Sequence, residues 1–152
     1  MKTDEDYMNL AIMEAEKALE IDEVPIGAVV IYNDKIVGRG YNLKERDSDP
    51  TAHAEMIALK DAAQNMQSWR LDKCDLYVTI EPCPMCAGAI VQARIRKLVF
   101  GAFDPKAGAT GSLYNIVEDQ RLNHQVSEVK GGILAEKSQR LMKDFFIKLR
   151  NK

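Results

Sequence analysis

Four residues of the sequence have the types and spacing that metal-assisted hydrolysis needs: His53, Glu55, Cys83 and Cys86. They stand in two segments, Thr51-Ala52-His53-Ala54-Glu55 and Glu81-Pro82-Cys83-Pro84-Met85-Cys86. A catalytic zinc takes three protein ligands from nitrogen and sulfur and keeps a fourth position for water. One imidazole and two thiolates supply that set. The step from Cys83 to Cys86 places both sulfurs on one side of a helix start, where the positive end of the helix favours thiolate over thiol. Glu55 is close enough in sequence to His53 to reach a metal-bound water without replacing the imidazole. Zinc brings the pKa of such a water towards about 7. A carboxylate beside it can take the proton and deliver it to a ring nitrogen or a leaving amine. A nucleophilic hydroxide, a proton shuttle and a site that orients an amidine carbon are what hydrolytic deamination requires.

Each piece has a plainer alternative. A lone Cys-x-x-Cys is often half of a structural zinc site, but the sequence has no second such pair to close one. His124 is a candidate fourth ligand that would make the site structural. A thioredoxin-like redox pair is a further option, which the His-x-Glu segment makes less economical. A lone His-x-Glu is weak, as is a lone Pro-Cys-x-x-Cys. Together, each opening a predicted helix, they are strong. The third cysteine, Cys74, precedes an apolar run and reads as a core residue.

The elements that must carry these residues follow from periodicity. Tyr7, Leu10, Ala11, Ala15, Ala18 and Leu19 keep helical spacing, so the chain opens with an amphipathic helix, broken by Pro25 and Gly27. Ala28 to Tyr32 and Lys35 to Tyr41 are β-rich and joined by Asn33-Asp34, which reads as a hairpin. Asp47 to Thr51 has loop chemistry. A second helix is predicted from about Ala54 to Asn65. Leu76 to Ile80 reads as a buried strand. Pro82 to Gln92 reads as a turn into a helix, with Pro84 suited to its first position. Lys97 to Gly101 is another strand, Asp104 to Ser112 a Gly-rich loop, and Gln125 to Val129 a fifth strand. The last helix carries Leu134, Leu141, Met142, Phe145, Phe146 and Leu149. Strands alternating with helices predict an α/β fold, a three-layer α/β/α sandwich around a central mixed five-stranded sheet. The order of the strands is not readable from this pattern.

The length of 152 residues fits one domain, 1–152. Hydrophobic content of 46% with 29% charged residues excludes a disordered chain. No run approaches the roughly 20 apolar residues of a membrane helix, and the acidic, amphipathic first segment lacks signal-peptide anatomy. These features predict a cytoplasmic protein with no membrane partner. A net charge of −2 conceals an uneven distribution. Residues 1–23 carry a local −6, and residues 137–152 a local +5. A near-neutral total can therefore hide a basic surface, although solvated helix faces explain both ends equally well. Arg94, Arg96, Lys97, Lys106, Lys143, Lys148 and Arg150 are candidate phosphate contacts.

The two chemical segments resemble those of the cytidine deaminase superfamily, for which the His-x-Glu and Pro-Cys-x-x-Cys pattern is the known zinc signature. Nearly the whole chain resembles a narrower family, the bacterial tRNA-specific adenosine deaminases (TadA). The stretches that carry this resemblance are Glu23 to Val29, Gly40-Tyr41-Asn42, Asp49 to Glu55, Glu81 to Ala89, Leu122-Asn123-His124 and the Phe145-Phe146 helix. The resemblance implies a cytidine deaminase-like fold. It implies one Zn2+ per chain on His53, Cys83 and Cys86, with Glu55 as the catalytic proton shuttle. It further implies hydrolytic deamination of adenosine to inosine at the wobble position of a tRNA anticodon loop. Asn42 and the backbone of Ala54 would contact the flipped adenosine, with Ile26 lining its pocket. Asp104 and Lys106 would contact the anticodon stem-loop, and Phe145 or Phe146 would shape the groove, core packing being the alternative for the two rings. A homodimer is also implied, with Met85, Ala89, Ile90 and Ala93 serving either core or interface. Two rivals are weighed against this. One is a guanine or cytosine deaminase acting on free bases or nucleosides. The other is a non-catalytic zinc-containing binding module, in which Glu55 would have no use.

Overall fold

The first helix, α1 (Asp4–Glu20), is set by a reciprocal cap. The Asp6 amide donates to Thr3 Oγ1 at 3.2 Å, and the Thr3 amide donates to Asp6 Oδ2 at 2.8 Å. A hairpin follows, formed by β1 (Gly27–Tyr32) and β2 (Lys35–Tyr41). Its turn residues Asn33 and Asp34 have φ of 49° and 61°. Two successive left-handed residues are what a two-residue hairpin with right-handed strand twist demands. The chain continues through α2 (Lys44–Asp47), α3 (Ala54–Met66), β3 (Asp75–Ile80), α4 (Pro84–Ala93), β4 (Lys97–Ala102), β5 (Glu128–Lys130) and α5 (Ala135–Arg150). The molecule is described from a computed structural model, which covers residues 2–151. Met1 and Lys152, the latter one of the bases counted in the C-terminal segment, lie outside the described residues.

Among the described residues the strands form one five-stranded sheet in the order β2-β1-β3-β4-β5. β1 is antiparallel to β2 and β3, while β3, β4 and β5 run parallel. The sheet is therefore mixed, as the sequence predicts. Alternation along the strands divides the core in two. Ala28, Val30, Leu76, Val78, Leu98 and Phe100 face Ala58, Leu59, Ala87, Ile90 and Val91 of α3 and α4. Val29, Ile31, Tyr77 and Val99 face Tyr7, Met8, Ala11 and Ile12 of α1, with Leu141 of α5 against them. That arrangement is the α/β/α sandwich.

Three details differ from the sequence reading. The short helix α2 occupies residues that carry no apolar periodicity. The fifth strand is Glu128–Lys130 rather than Gln125 to Val129. Leu134 stands outside α5 as its N-cap with φ of 54°, not within the helix. No helix of the described residues is long and apolar enough to cross a membrane.

Candidate active site

The carboxyl ends of β3 and β4 open onto a cleft of about 160 Å³. This is where ligands bind in open α/β sheets, outside the C-terminal ends of the strands. His53 is the N-cap of α3, and Cys83 is the N-cap of α4. Two helix starts thus meet at one point, and Pro84 stands at the first position of α4. Gly40 on β2 allows the approach of α3. A Cβ there would collide with the Ala54 carbonyl oxygen and the Ala58 amide, so a side chain would push the start of α3 away from the sheet.

His53 Nδ1 lies 3.5 Å from Cys83 Sγ and 3.5 Å from Cys86 Sγ. The three ligand atoms all fall within 4.8 Å of one another. A tetrahedral zinc with Zn–N of about 2.0–2.1 Å and Zn–S of about 2.3 Å requires N···S separations of about 3.6 Å. The donor set therefore fits zinc in both chemistry and spacing. His124 takes no part in this group. Its Nε2 lies 2.9 Å from the Ile95 carbonyl oxygen, so it is not the fourth ligand.

The Cys83 thiol is pulled down to about 4, first by its hydrogen bond with Cys86, against burial, and further by its contact with His53. Cys86, fully buried, moves up for the reciprocal reason, holding its proton against Cys83. Cys83 is also the more exposed of the two thiols. Its hydrogen bond with His53 also raises the imidazole pKa.

Glu55 lies at the second position of α3 and is 4% exposed. Burial pushes its carboxyl up to about 7, the interaction with its own backbone amide opposes this, and the charge on Cys83 adds to it. The cleft brings Ile26, Asn42, His53, Ala54, Glu55, Cys83 and Asp104 together along one wall or another. It does not include Lys106, Phe145 or Phe146. Lys106 is exposed, on the loop next to Asp104. Phe145 is buried on α5 and meets Phe146 edge to face, with centroids 5.2 Å apart, while Phe146 is 42% exposed.

Val24, Lys44, Ile80, Glu81 and Ala107 also line the cleft, and the sequence reading gave none of them a role there. Glu81 had a signal, since it directly precedes Pro82-Cys83. Lys44 had none, because the α2 turn that presents it shows no pattern. Of the candidate phosphate contacts, Arg96 and Lys97 are committed elsewhere. Arg96 pairs with Asp75 and Lys97 with Asp4, at the end of the sheet opposite the cleft.

This fold and this donor group define a deaminase of the cytidine deaminase-like class, and residues 2–150 match the MafB19-like deaminase family. The chain is 50% identical over 152 residues to the tRNA-specific adenosine deaminase of Bacillus subtilis strain 168, covering 100% of this chain and 94% of that one. The chain belongs to the family of tRNA-specific adenosine deaminases. A solved structure from work on A-to-I editing by tRNA:A34 deaminases at the wobble position of transfer RNA superposes with a TM-score of 0.84. It is 41% identical and covers 89% of this chain and 97% of its own. A guanine deaminase from Bacillus subtilis is more distant, with a TM-score of 0.66, 34% identity and coverage of 73% and 71%.

Proposed function

We infer that the chain hydrolyses adenosine to inosine at the wobble position of a tRNA anticodon loop, as a single domain with one zinc on His53, Cys83 and Cys86. The observation that carries the reading is Glu55: a buried carboxyl, raised to about 7, beside three donor atoms spaced for zinc. When bound, zinc supplies a Lewis acid that makes water nucleophilic near neutral pH. The Glu55 carboxylate accepts a proton from the attacking water and passes it to the purine ring nitrogen next to the amine-bearing carbon. A second proton transfer through Glu55 goes to the amine, which departs as ammonia while the carbon becomes a carbonyl. A carboxyl poised near neutrality serves both directions of transfer.

The other walls suit an extruded purine nucleoside. Val24, Ile26 and Ile80 give an apolar face for the ring. The Ala54 amide belongs to the open first turn of α3, where backbone donors have no partner within the helix. Asn42 accepts from the Lys44 amide at 3.2 Å through Oδ1 and donates from Nδ2 to the Val24 carbonyl at 3.5 Å, which orients its amide and leaves the second Nδ2 hydrogen to hold a base edge or ribose. Anticodon-loop bases are unpaired, so extrusion costs less than from a duplex. Asp104 and exposed Lys106 stand at the rim for the flanking nucleotides, and exposed Phe146 is the member of the phenylalanine pair available to a groove.

A homodimer is supported by an apolar groove between α3 and α4, lined by Met56, Leu59, Ala89 and Ala93 with exposed Trp69 at its edge. Twofold dimers are the commonest closed assemblies. The deciding experiment is incubation with total bacterial tRNA followed by inosine mapping. The expected result is inosine at one wobble position, with little turnover of free adenine, guanine or cytidine. Turnover of a free base with no inosine in tRNA overturns the reading in favour of a small-substrate deaminase.

A further inference from the structure

We propose that Glu81 is a positioning residue for substrate: its carboxylate fixes the loop Asp104 to Ser112 against the metal-ligand turn and so sets the far wall of the cleft. Glu81 is the residue after β3 and is 3% exposed. Four donors converge on its two oxygens, and all come from that loop. Oε1 accepts from the Asp104 amide at 3.0 Å and from Ser112 Oγ at 2.5 Å. Oε2 accepts from the Thr110 amide at 3.2 Å and from the Ser112 amide at 2.9 Å. An ionised carboxylate is acceptor-only and has room for about four such bonds. An amide side chain would present a donor to donors.

The backbone repeats the same tie. The Glu81 amide donates to the Ala102 carbonyl at 2.8 Å, and the Ala109 amide donates to the Pro82 carbonyl at 2.8 Å. Gly108 lets the loop close over the carboxylate, since a Cβ at Gly108 would overlap the Glu81 carboxyl group. The loop's other backbone bonds run within itself and to the turn that follows it, where Gly111 donates to the Tyr114 carbonyl at 2.8 Å and Ile116 to the Ala109 carbonyl at 2.9 Å. Its near end carries Asp104, which lines the cleft, and exposed Lys106. Two residues beyond Glu81 stands Cys83. One side chain therefore holds the rim in register with the metal-ligand turn, without touching the reacting atoms.

The activity half of the test rests on the deaminase reading, and the structural half does not. Glu81→Gln is compared with the wild type in metal content, in amide hydrogen exchange over the loop and in kinetics on an anticodon stem-loop. In the wild type the amides of Asp104, Thr110 and Ser112 are expected to exchange slowly. In Glu81→Gln they exchange at least about tenfold faster, zinc is retained, and KM rises about tenfold or more while kcat changes little. In an Asp104→Ala background the Glu81→Gln effect on KM shrinks, because both changes act through the same loop. Ser112→Ala removes one bond without unpairing the carboxylate. It gives smaller shifts in the same direction, and it carries the test if Glu81→Gln does not fold. Unchanged exchange of those three amides overturns the proposal, as does loss of zinc with kcat falling at constant KM. If the wild type makes no inosine in tRNA, the proposed function fails, and the exchange measurement still decides whether Glu81 holds the loop.

Discussion

Glu55 and Glu81 are the same residue type, 4% and 3% exposed, lining the same cleft, and they sit in opposite electrostatic states. Burial raises Glu55 to about 7, with its own amide and the Cys86 thiol as its hydrogen-bond neighbours. Burial would raise Glu81 as well. The Ser112 hydroxyl and the amides of Asp104, Ser112 and Thr110 instead hold it below the usual carboxylate range. Burial sets the cost of the charge, and the number of fixed donors decides whether the charge survives it. The carboxyl left short of donors is the one that can gain and lose a proton. The fully satisfied one can only hold structure.

The largest effect expected lies in the ligands both acids surround. Cys86→Ala should remove zinc and bring deamination below detection, while Cys74→Ala, altering a buried thiol outside the group, keeps its metal. Full zinc occupancy in Cys86→Ala would break the assignment. Next comes Glu55→Gln, expected to keep zinc and fold but lose about 10⁴-fold or more in kcat, because one group serves several proton transfers. Near-normal turnover would remove Glu55 from the mechanism. Stability then separates the two acids. Glu81→Gln should lower the unfolding free energy by about 2–3 kcal/mol, since it leaves buried donors facing a donor. Glu55→Gln should leave the apoprotein equally stable or more so, having removed a poorly partnered buried carboxyl. Equal losses in urea titrations of the two variants would erase the distinction.

The sequence showed Glu55 more clearly than Glu81 for a physical reason. The His/Cys/Cys group is built from two short segments, and each segment announces itself by local spacing. The β-rich run Ala28 to Tyr32 and the turn at Asn33-Asp34 are legible in the same way. Glu81 stands in a legible segment, but its partners lie 23 to 31 residues away, and no local pattern reports them. The helix α2 is hidden likewise. The amides of Glu45 and Arg46 donate to buried Glu23 at 3.1 and 2.6 Å, so a distant carboxylate holds a turn with no propensity pattern of its own. Arg96 and Lys97 look free in the sequence because Asp75 and Asp4 reach them only through the fold. Strand order is a tertiary property and leaves no mark on single-strand periodicity.

A third acid carries the comparison to the opposite end of the sheet. Asp4, in the first turn of α1, accepts from Tyr77 Oη at 2.6 Å, from Lys97 Nζ at 3.0 Å and from Lys130 Nζ at 3.1 Å. It ties α1 to β3, β4 and β5. Burial raises its pKa, but the bonds from Tyr77, Lys97 and Lys130 outweigh that and lower it from 3.8 to about 2. The folded state therefore binds the proton less readily than the unfolded chain. Stability from this group is fully present above the unfolded value, is lost as pH falls from about 4 to about 2, and is absent below. A shift of this size corresponds to at most about 2–3 kcal/mol. Partial exposure of Lys130 and solvent screening reduce it to about 1–2 kcal/mol. Asp4→Asn should therefore be less stable than the wild type by about that amount at pH 7, and the gap should narrow at pH 3. Turnover should be unchanged, because Asp4 lies away from the cleft. Denaturant midpoints for both proteins at the two pH values measure it. A gap as wide at pH 3 as at pH 7 would mean that Asp4 stabilises by packing or capping rather than by the charge its partners maintain.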